Sequence, residues 1–303
     1  MTTHPSVPSG HRPSVPWRLT LAALHRLPQG LLSRLFGWFA DRPIPPALRP
    51  VVLGTFVRLT GIRMEEAARP LADYPSVNDL FVRRLRSDIH EWPGDARLIA
   101  SPVDGILGQF GKIRDGTLIQ AKGLGYHASE LLGSPGDAST FRDGCFVTIY
   151  LSPRHYHRIH TPMPGIVRRA RHIAGALLPV NAAAVSSVDR LFPRNERLLV
   201  LMETAVGQLA VVAVGAYNVG RISAAFDPSW SGSHKGWITN RSDAPPPERH
   251  YPGGIELEEG AELMAFHLGS TVIVLAEPGM ALVPDLKEGA EIRAGTILAR
   301  PTG

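Results

Sequence analysis

From about residue 98 onward the chain is a series of short apolar runs separated by glycine and polar turns. Runs this short, rich in valine, isoleucine and leucine, fit β-strands rather than helices. The spacing predicts strands at Gly105–Phe110, Thr117–Gln120, Phe146–Leu151, Gly165–Arg171, Leu198–Thr204, Leu209–Val214, Gly220–Ser223, Ala261–Phe266 and Thr271–Ala276. With 30 glycines and 27 prolines, the chain is turn-rich, which argues against a helical bundle. Its 303 residues suffice for one or two domains and a sizeable core without metal or disulfide staples. The single cysteine, Cys145, excludes an intramolecular disulfide and a cysteine-based zinc cage. It stands at the entry of an apolar strand and reads as an inert core thiol.

The front of the chain differs. Residues 1–63 carry eight arginines, no lysine and one acid, Asp41, for a net charge of +7 against +5 for the whole chain. A basic, apolar-rich front on a near-neutral body points to an anionic partner surface. No nucleic-acid-binding motif accompanies it, so the expected partner is an anionic membrane and not a nucleic acid. Residues 1–16, with four prolines, read as a disordered tail. Residues 17–97 read as a helical membrane-associating region, and 98–303 as the β-rich body. Leu21, Leu24 and Leu27 share a helical face, and Leu31, Leu32, Leu35, Phe36, Trp38 and Phe39 form a second stripe beside Arg34. Such stripes suit the membrane interface. The alternative is that they pack on the protein's own core. Arg18, His25 and Arg26 interrupt the stretch, so it reads neither as a secretory leader nor as a membrane span. Helices are expected over 46–62 and 76–86, with Ser76 and Asn78 as candidate N-caps and Arg83, Arg84 and Arg86 on a solvated face.

Three stretches could carry chemistry. Ser101-Pro102-Val103-Asp104-Gly105 puts an acid at a turn before a strand. Leu151 to Pro162 holds His155, His157 and His160, three of the twelve histidines. Metal binding and acid–base work are both open for them. Phe266-His267-Leu268-Gly269-Ser270-Thr271 places a Gly-Ser step at the entry of an apolar strand. Glycine there permits strained dihedrals, so the hydroxyl can reach the preceding carbonyl. Together, Asp104, a histidine near 160 and Ser270 could form an acid–base–nucleophile set.

These motifs make the resemblance specific. Phe81-Val82-Arg83, Pro102-x-Asp104-Gly105, Gln120-Ala121-Lys122-Gly123, the Leu151–Pro162 run, Asn195-Glu196-Arg197 and Leu268-Gly269-Ser270-Thr271 occur in one colinear order. From roughly residue 30 to 300 the sequence resembles the bacterial phosphatidylserine decarboxylases, which depend on a pyruvoyl group. The resemblance implies an α+β fold: a helical N-terminal membrane-binding region, then a mainly antiparallel β catalytic body. The spacing of glycines in 282–300 adds a lipoyl-carrier-like barrel character.

The resemblance further implies that a proenzyme cuts itself between Gly269 and Ser270. His160 would be the base, and Asp104 would orient its imidazole. Ester formation, β-elimination and hydrolysis would turn Ser270 into a pyruvoyl group and release ammonia. The products would be a large chain, 1–269, and a small chain, 270–303, forming a heterodimer; a homo-oligomer stays open. The ketone would form a Schiff base with phosphatidylserine and accept electrons as CO₂ leaves, giving phosphatidylethanolamine. This carboxy-lyase needs no metal. His157 matches the histidine expected to handle the second-stage proton. The implied location is the cell membrane, peripheral, on the cytoplasmic side.

Other residues read more plainly. His155 is expected exposed and non-essential, and the His267 side chain incidental. Lys122 fits either a substrate anion or an internal ion pair. Asn195-Glu196-Arg197 reads as a structural hydrogen-bond cluster. Met264, and the stretches Ser229-Trp230-Ser231-Gly232-Ser233 and Pro245-Pro246-Pro247, depart from the family pattern. Two other functions compete: a serine hydrolase using Asp104, His160 and Ser270 on an external substrate, and a non-catalytic membrane-binding β module.

Overall fold

Apolar runs with no polar alternation need cover on both faces, and the longest of them form the middle of one large sheet. The computed structural model describes residues 37–121, 123–216, 221–230, 248–267 and 271–302. The expected tail over 1–16, the stripes up to residue 36, Lys122, Gly269 and Ser270 lie outside the described residues.

The described helices longer than one 3₁₀ turn are α1 (Arg49–Thr60), α2 (Val77–Phe81), α3 (Ala128–Leu132), α4 (Pro135–Thr140), α5 (Ala182–Val185) and α6 (Leu191–Arg194). The strands are β1 (Ile99–Ala100), β2 (Gly105–Lys112), β3 (Thr117–Ala121), β4 (Leu124–His127), β5 (Cys145–Tyr150), β6 (Arg158–His160), β7 (Gly165–Ile173) and β8 (Arg197–Thr204). They continue with β9 (Gly207–Val214), β10 (Ile222–Ala224), β11 (Glu248–Leu257), β12 (Glu262–Phe266), β13 (Thr271–Ala276), β14 (Met280–Leu282), β15 (Glu291–Ile292) and β16 (Ile297–Pro301). Every expected strand overlaps an observed one.

An eight-stranded sheet runs in the order β11-β7-β8-β9-β13-β5-β2-β15. Two three-stranded sheets, β10-β12-β6 and β1-β16-β14, and the pair β3-β4 complete the body. The named strands pair antiparallel throughout. No sheet among the described residues closes into a barrel. The tail expected to have barrel character divides instead, β15 joining the edge of the large sheet and β16 a small one. Gly289 ahead of β15 and Gly295 between β15 and β16, both at positive φ, turn the chain.

Alternation along β13 explains the layers. Val272 and Val274 face one core with Met264, Phe266 and Ile159, under the small sheets. Ile273 and Leu275 face the other, with Leu131, Leu132, Leu191 and Phe192 of the helices. Each such side chain contributes roughly 1.5–3 kcal/mol by leaving water, so these strands anchor the molecule. Met264, off the family pattern, is simply part of this core.

Helix α1 falls inside the expected 46–62 and ends at Gly61, whose φ of 76° provides a left-handed cap. The expected helix over 76–86 shrinks to α2. Ser76 does cap it, its Oγ accepting from Asp79 N, while Asn78 turns to His267. The solvated arginine face is corrected at Arg83. Leu80 and Phe81 commit the segment to the core, and Arg83 follows them in, buried. Its Nη2 donates to Arg154 O at 3.4 Å, and its Nε and Nη1 have no partner among the described residues. Arg197 is buried as the structural reading expects. It donates to the carbonyls of Leu131, Pro193, Asn195 and Glu130, and burial lowers its pKa to about 10.

Candidate active site

Strand β12 ends at Phe266 and β13 begins at Thr271, so between them the chain crosses from a small sheet into the middle of the large one. The Gly269–Ser270 bond belongs to that crossing. Strand β6 lies beside β12, with Arg158 opposite Ala265, and Phe266 N donates to His157 O at 2.9 Å. The histidine run is thus laid along the strand that leads into the crossing.

Register brings Asp104 to the same end of the large sheet. Tyr150, at the end of β5, pairs with Thr271 on one side and Ile106 on the other. Asp104 precedes Ile106 by two residues, two strand spacings or about 10 Å from β13. Gly105 makes this approach possible. A Cβ there would lie 2.6 Å from Ile149 Cγ2 and 2.7 Å from Tyr150 O.

The expected Asp104–His160 hydrogen bond is absent. Asp104 Oδ1 instead accepts from His90 Nε2 at 2.8 Å and from Ala294 N at 2.9 Å. Burial alone would push this carboxyl up. The His90 hydrogen bond and charge, the Ala294 N–H and the charge of Arg293 outweigh burial and hold it below its ordinary range.

His160 Nδ1 donates to Gly260 O at 2.7 Å, which fixes the tautomer and leaves Nε2 to accept from Tyr156 Oη at 3.1 Å. Burial lowers the His160 pKa, with the Gly260 bond opposing and the His90 charge assisting, so the ring is a neutral base near pH 7. Burial raises Tyr156, which stays a donor.

His157 is fully buried, its ring tilted 36° against Phe81 with centroids 3.9 Å apart. Its Nδ1 donates to His155 O at 2.8 Å, so Nε2 carries a lone pair, and that atom has no partner among the described residues. Burial, then the charge of Arg83, holds its pKa well below the usual histidine range. His155, expected exposed, is half-buried. Its Nδ1 accepts from Ser152 N at 2.9 Å, closing the turn ahead of Tyr156. His267, expected incidental, is buried and held at both ring nitrogens, by Asn78 at 3.2 Å and Ser223 Oγ at 3.0 Å. Burial and the charges of Arg221 and Arg158 lower its pKa to about 3, so it acts as a neutral brace for the crossing.

Beside Thr271 opens a cavity of about 720 Å³, mostly apolar, with Leu107, Tyr150, Val180, Val185 and Phe192 among its walls. Gln120 pins its roof, donating to Val185 O and Val188 O and accepting from Leu191 N. The Thr148 and Thr271 hydroxyls, on the same wall, are buried without partners among the described residues. Among the described residues no three His, Cys, Asp or Glu side chains are grouped to hold a metal ion. The Cys145 thiol, buried and pushed up to about 11, is inert as expected.

The phosphatidylserine decarboxylase family profile matches residues 77–300. A phosphatidylserine decarboxylase proenzyme of Anaeromyxobacter sp. (strain K) is 42% identical over 279 residues, covering 92% of this chain and 96% of that protein. Proenzymes of the same name from Bordetella avium and Yersinia enterocolitica are 39% and 38% identical. They cover 95% and 90% of this chain, and 96% and 93% of their own lengths. The match spans the histidine run, the Asp104 turn and the crossing alike, and the chain belongs to the phosphatidylserine decarboxylase family.

Proposed function

We propose that this chain is a precursor that cuts itself between Gly269 and Ser270 and then converts phosphatidylserine to phosphatidylethanolamine and CO₂. The observation that carries the reading is the grouping of Asp104, His157 and His160 around the crossing from β12 to β13. The names of the relatives support the substrate and the precursor state.

In self-cleavage, Ser270 Oγ bonds to the Gly269 carbonyl carbon and the C–N bond breaks. The hydroxyl proton passes through His160 to the leaving nitrogen, giving an ester. His160 suits this task because Gly260 fixes its Nδ1 proton and burial keeps Nε2 free of charge. To take the proton, Nε2 must release Tyr156. Loss of the Ser270 α-proton then expels the new carboxylate of the large chain. Water converts the remaining dehydroalanine to a ketone and ammonia.

The unpartnered hydroxyls of Thr148 and Thr271 and the bare His157 Nε2 fit a small carbonyl group made at position 270. That pyruvoyl group supplies the electron sink that loss of CO₂ beside an amine requires. His157 Nε2 holds the proton that replaces the departing carboxyl group. The cavity beside Thr271 takes the apolar part of the lipid and keeps water away.

The body, 98–303, then acts as the catalytic part, and the front as its membrane contact. Among the described residues no helix is long and apolar enough to cross a membrane. Phe39, Val51 and Leu59 are exposed near the basic front, and Arg42 stacks over Trp38 at 3.9 Å. We place this surface against anionic lipid on the cytoplasmic side. Reversing Arg18, Arg26 and Arg34 to glutamate is expected to weaken binding to phosphatidylserine vesicles at least about 100-fold, at roughly 1 kcal/mol per basic residue. The loss should shrink in high salt and leave self-cleavage intact. Unchanged vesicle affinity in a sedimentation assay would remove this role.

Intact mass of the purified protein tests the main reading. Two chains divided after residue 269 are expected, the shorter one blocked to Edman degradation. An unbroken chain labelled by a fluorophosphonate indicates a serine hydrolase instead. An unbroken chain without turnover or labelling indicates a binding module.

A further inference from the structure

Asp104 holds an imidazole, but it is the imidazole of His90. The two side chains are 10% and 12% exposed, and the bond between them is 2.8 Å long. Both donors to Asp104, His90 Nε2 and Ala294 N, use the same oxygen, Oδ1. The second oxygen, Oδ2, accepts no hydrogen bond among the described residues. The His90 ring centroid is 5.6 Å from that of Tyr156 and 6.3 Å from that of His160. His90 therefore adjoins both the carboxylate and the His160–Tyr156 pair.

We propose that His90 is a positioning residue for self-cleavage: its Nε2–H grips Asp104 by one oxygen, so that the carboxylate stays in place and the other oxygen remains available to the His160 side of the site. This inference rests on the reading that His160 takes the Ser270 hydroxyl proton. Taking that proton makes His160 a cation in a buried place, which costs free energy unless a nearby negative charge offsets it. Asp104 supplies the offset only while it is ionised and fixed. With a single backbone donor, a carboxyl this buried would protonate more readily and swing more freely.

Several other groups face Asp104. Arg293 comes from the same loop as Ala294. Arg83 follows α2, and His155 and Tyr156 precede β6. Arg83 and Arg293 act on Asp104 through charge and His155 and Tyr156 feel its charge, whereas His90 and Ala294 touch it. His90 is the one side chain of the group whose replacement removes a hydrogen bond from the carboxylate while leaving its cationic neighbours Arg83 and Arg293 in place.

The test follows self-cleavage of the freshly translated full chain on gels between about pH 3 and pH 9, for wild type, His90→Leu and His90→Gln. The leucine variant removes the donor. Glutamine keeps an amide N–H at similar reach. His90→Leu is expected to cleave about tenfold more slowly at pH 7, within the range for supporting an acid–base step. Its acid limb should move up by about one pH unit, because Asp104 loses a donor that favours its ionised form. His90→Gln should stay within about threefold of wild type with its limb unmoved. A role confined to packing gives a different result, a uniform slowing at every pH that glutamine does not rescue, and that outcome overturns the proposal. Cleavage of His90→Leu identical to wild type overturns it as well. If His90→Leu does not fold, His90→Asn takes its place, with the same amide on a shorter arm that falls short of Asp104. A wild-type chain that never cleaves overturns the self-cleavage reading and this proposal together. A wild-type chain that cleaves beside an indifferent His90 variant overturns this proposal alone.

Discussion

Replacing Ser270 by alanine is expected to leave one unbroken chain of 303 residues and to reduce lipid decarboxylation to background. The two losses should appear together because one oxygen atom serves both. Without Ser270 Oγ no ester forms, so no bond breaks after Gly269 and no ketone is made. The remaining residues cannot substitute. Asp104, His157 and His160 move or stabilise protons, and none of them offers an electron sink for loss of CO₂. The measurement is intact mass beside release of labelled CO₂ from phosphatidylserine. The fold should persist, since β13 is bonded to β5 and β9 from Thr271 onward, independent of the serine. A Ser270→Ala chain that still cleaves, or that still turns over lipid, removes the foundation of the proposed function.

His157→Ala should separate the two stages. Cleavage into the 1–269 and 270–303 chains is expected to proceed, while lipid turnover falls by about 10²–10⁴-fold, the usual contribution of a placed acid or base. The physical grounds are three. The ring is clamped by Phe81 and by the His155 carbonyl, its one free nitrogen is Nε2, and burial with the Arg83 charge keeps that nitrogen unprotonated at rest. A lone pair held this firmly and left without a partner is suited to receive and return a proton. Removing a buried ring leaves a cavity, so His157→Gln and a melting curve accompany the alanine variant. Normal turnover in either variant, or loss of cleavage along with turnover, ends this assignment.

The large sheet was legible because its central strands are apolar at most positions. Leu198–Thr204, Leu209–Val214 and Thr271–Ala276 could hardly be anything but fully covered strands. Strand β11 escaped notice because it is an edge strand with Glu248, Arg249 and His250 at its start. Its polarity is answered by Arg169 and Arg171 on β7, a pairing that only the folded chain reveals. Arg83 misled for a similar reason. An arginine after a short helix is exposed by default, and nothing local announces that Phe81 draws it inward.

Asp104, His157, His160 and the Gly269-Ser270 step were legible as a set through the family likeness, not through spacing. Their actual partners were not. His90 lies fourteen residues from Asp104, Gly260 a hundred from His160, and Asn78 farther still from His267. Contacts made across such intervals leave no periodic trace. Gly105 is the exception that sequence could in principle have flagged, since its missing side chain is what lets β2 close on Tyr150.

Strand β13 is flanked on both sides, residue by residue, by β5 and β9. A 34-residue fragment beginning at position 270 therefore owns the keystone of the architecture. Severing the backbone before that keystone is seated would strand both pieces, whereas severing it afterwards leaves them locked. On the proposed cleavage, maturation would wait for assembly, and a molecule would become reactive only after its own construction.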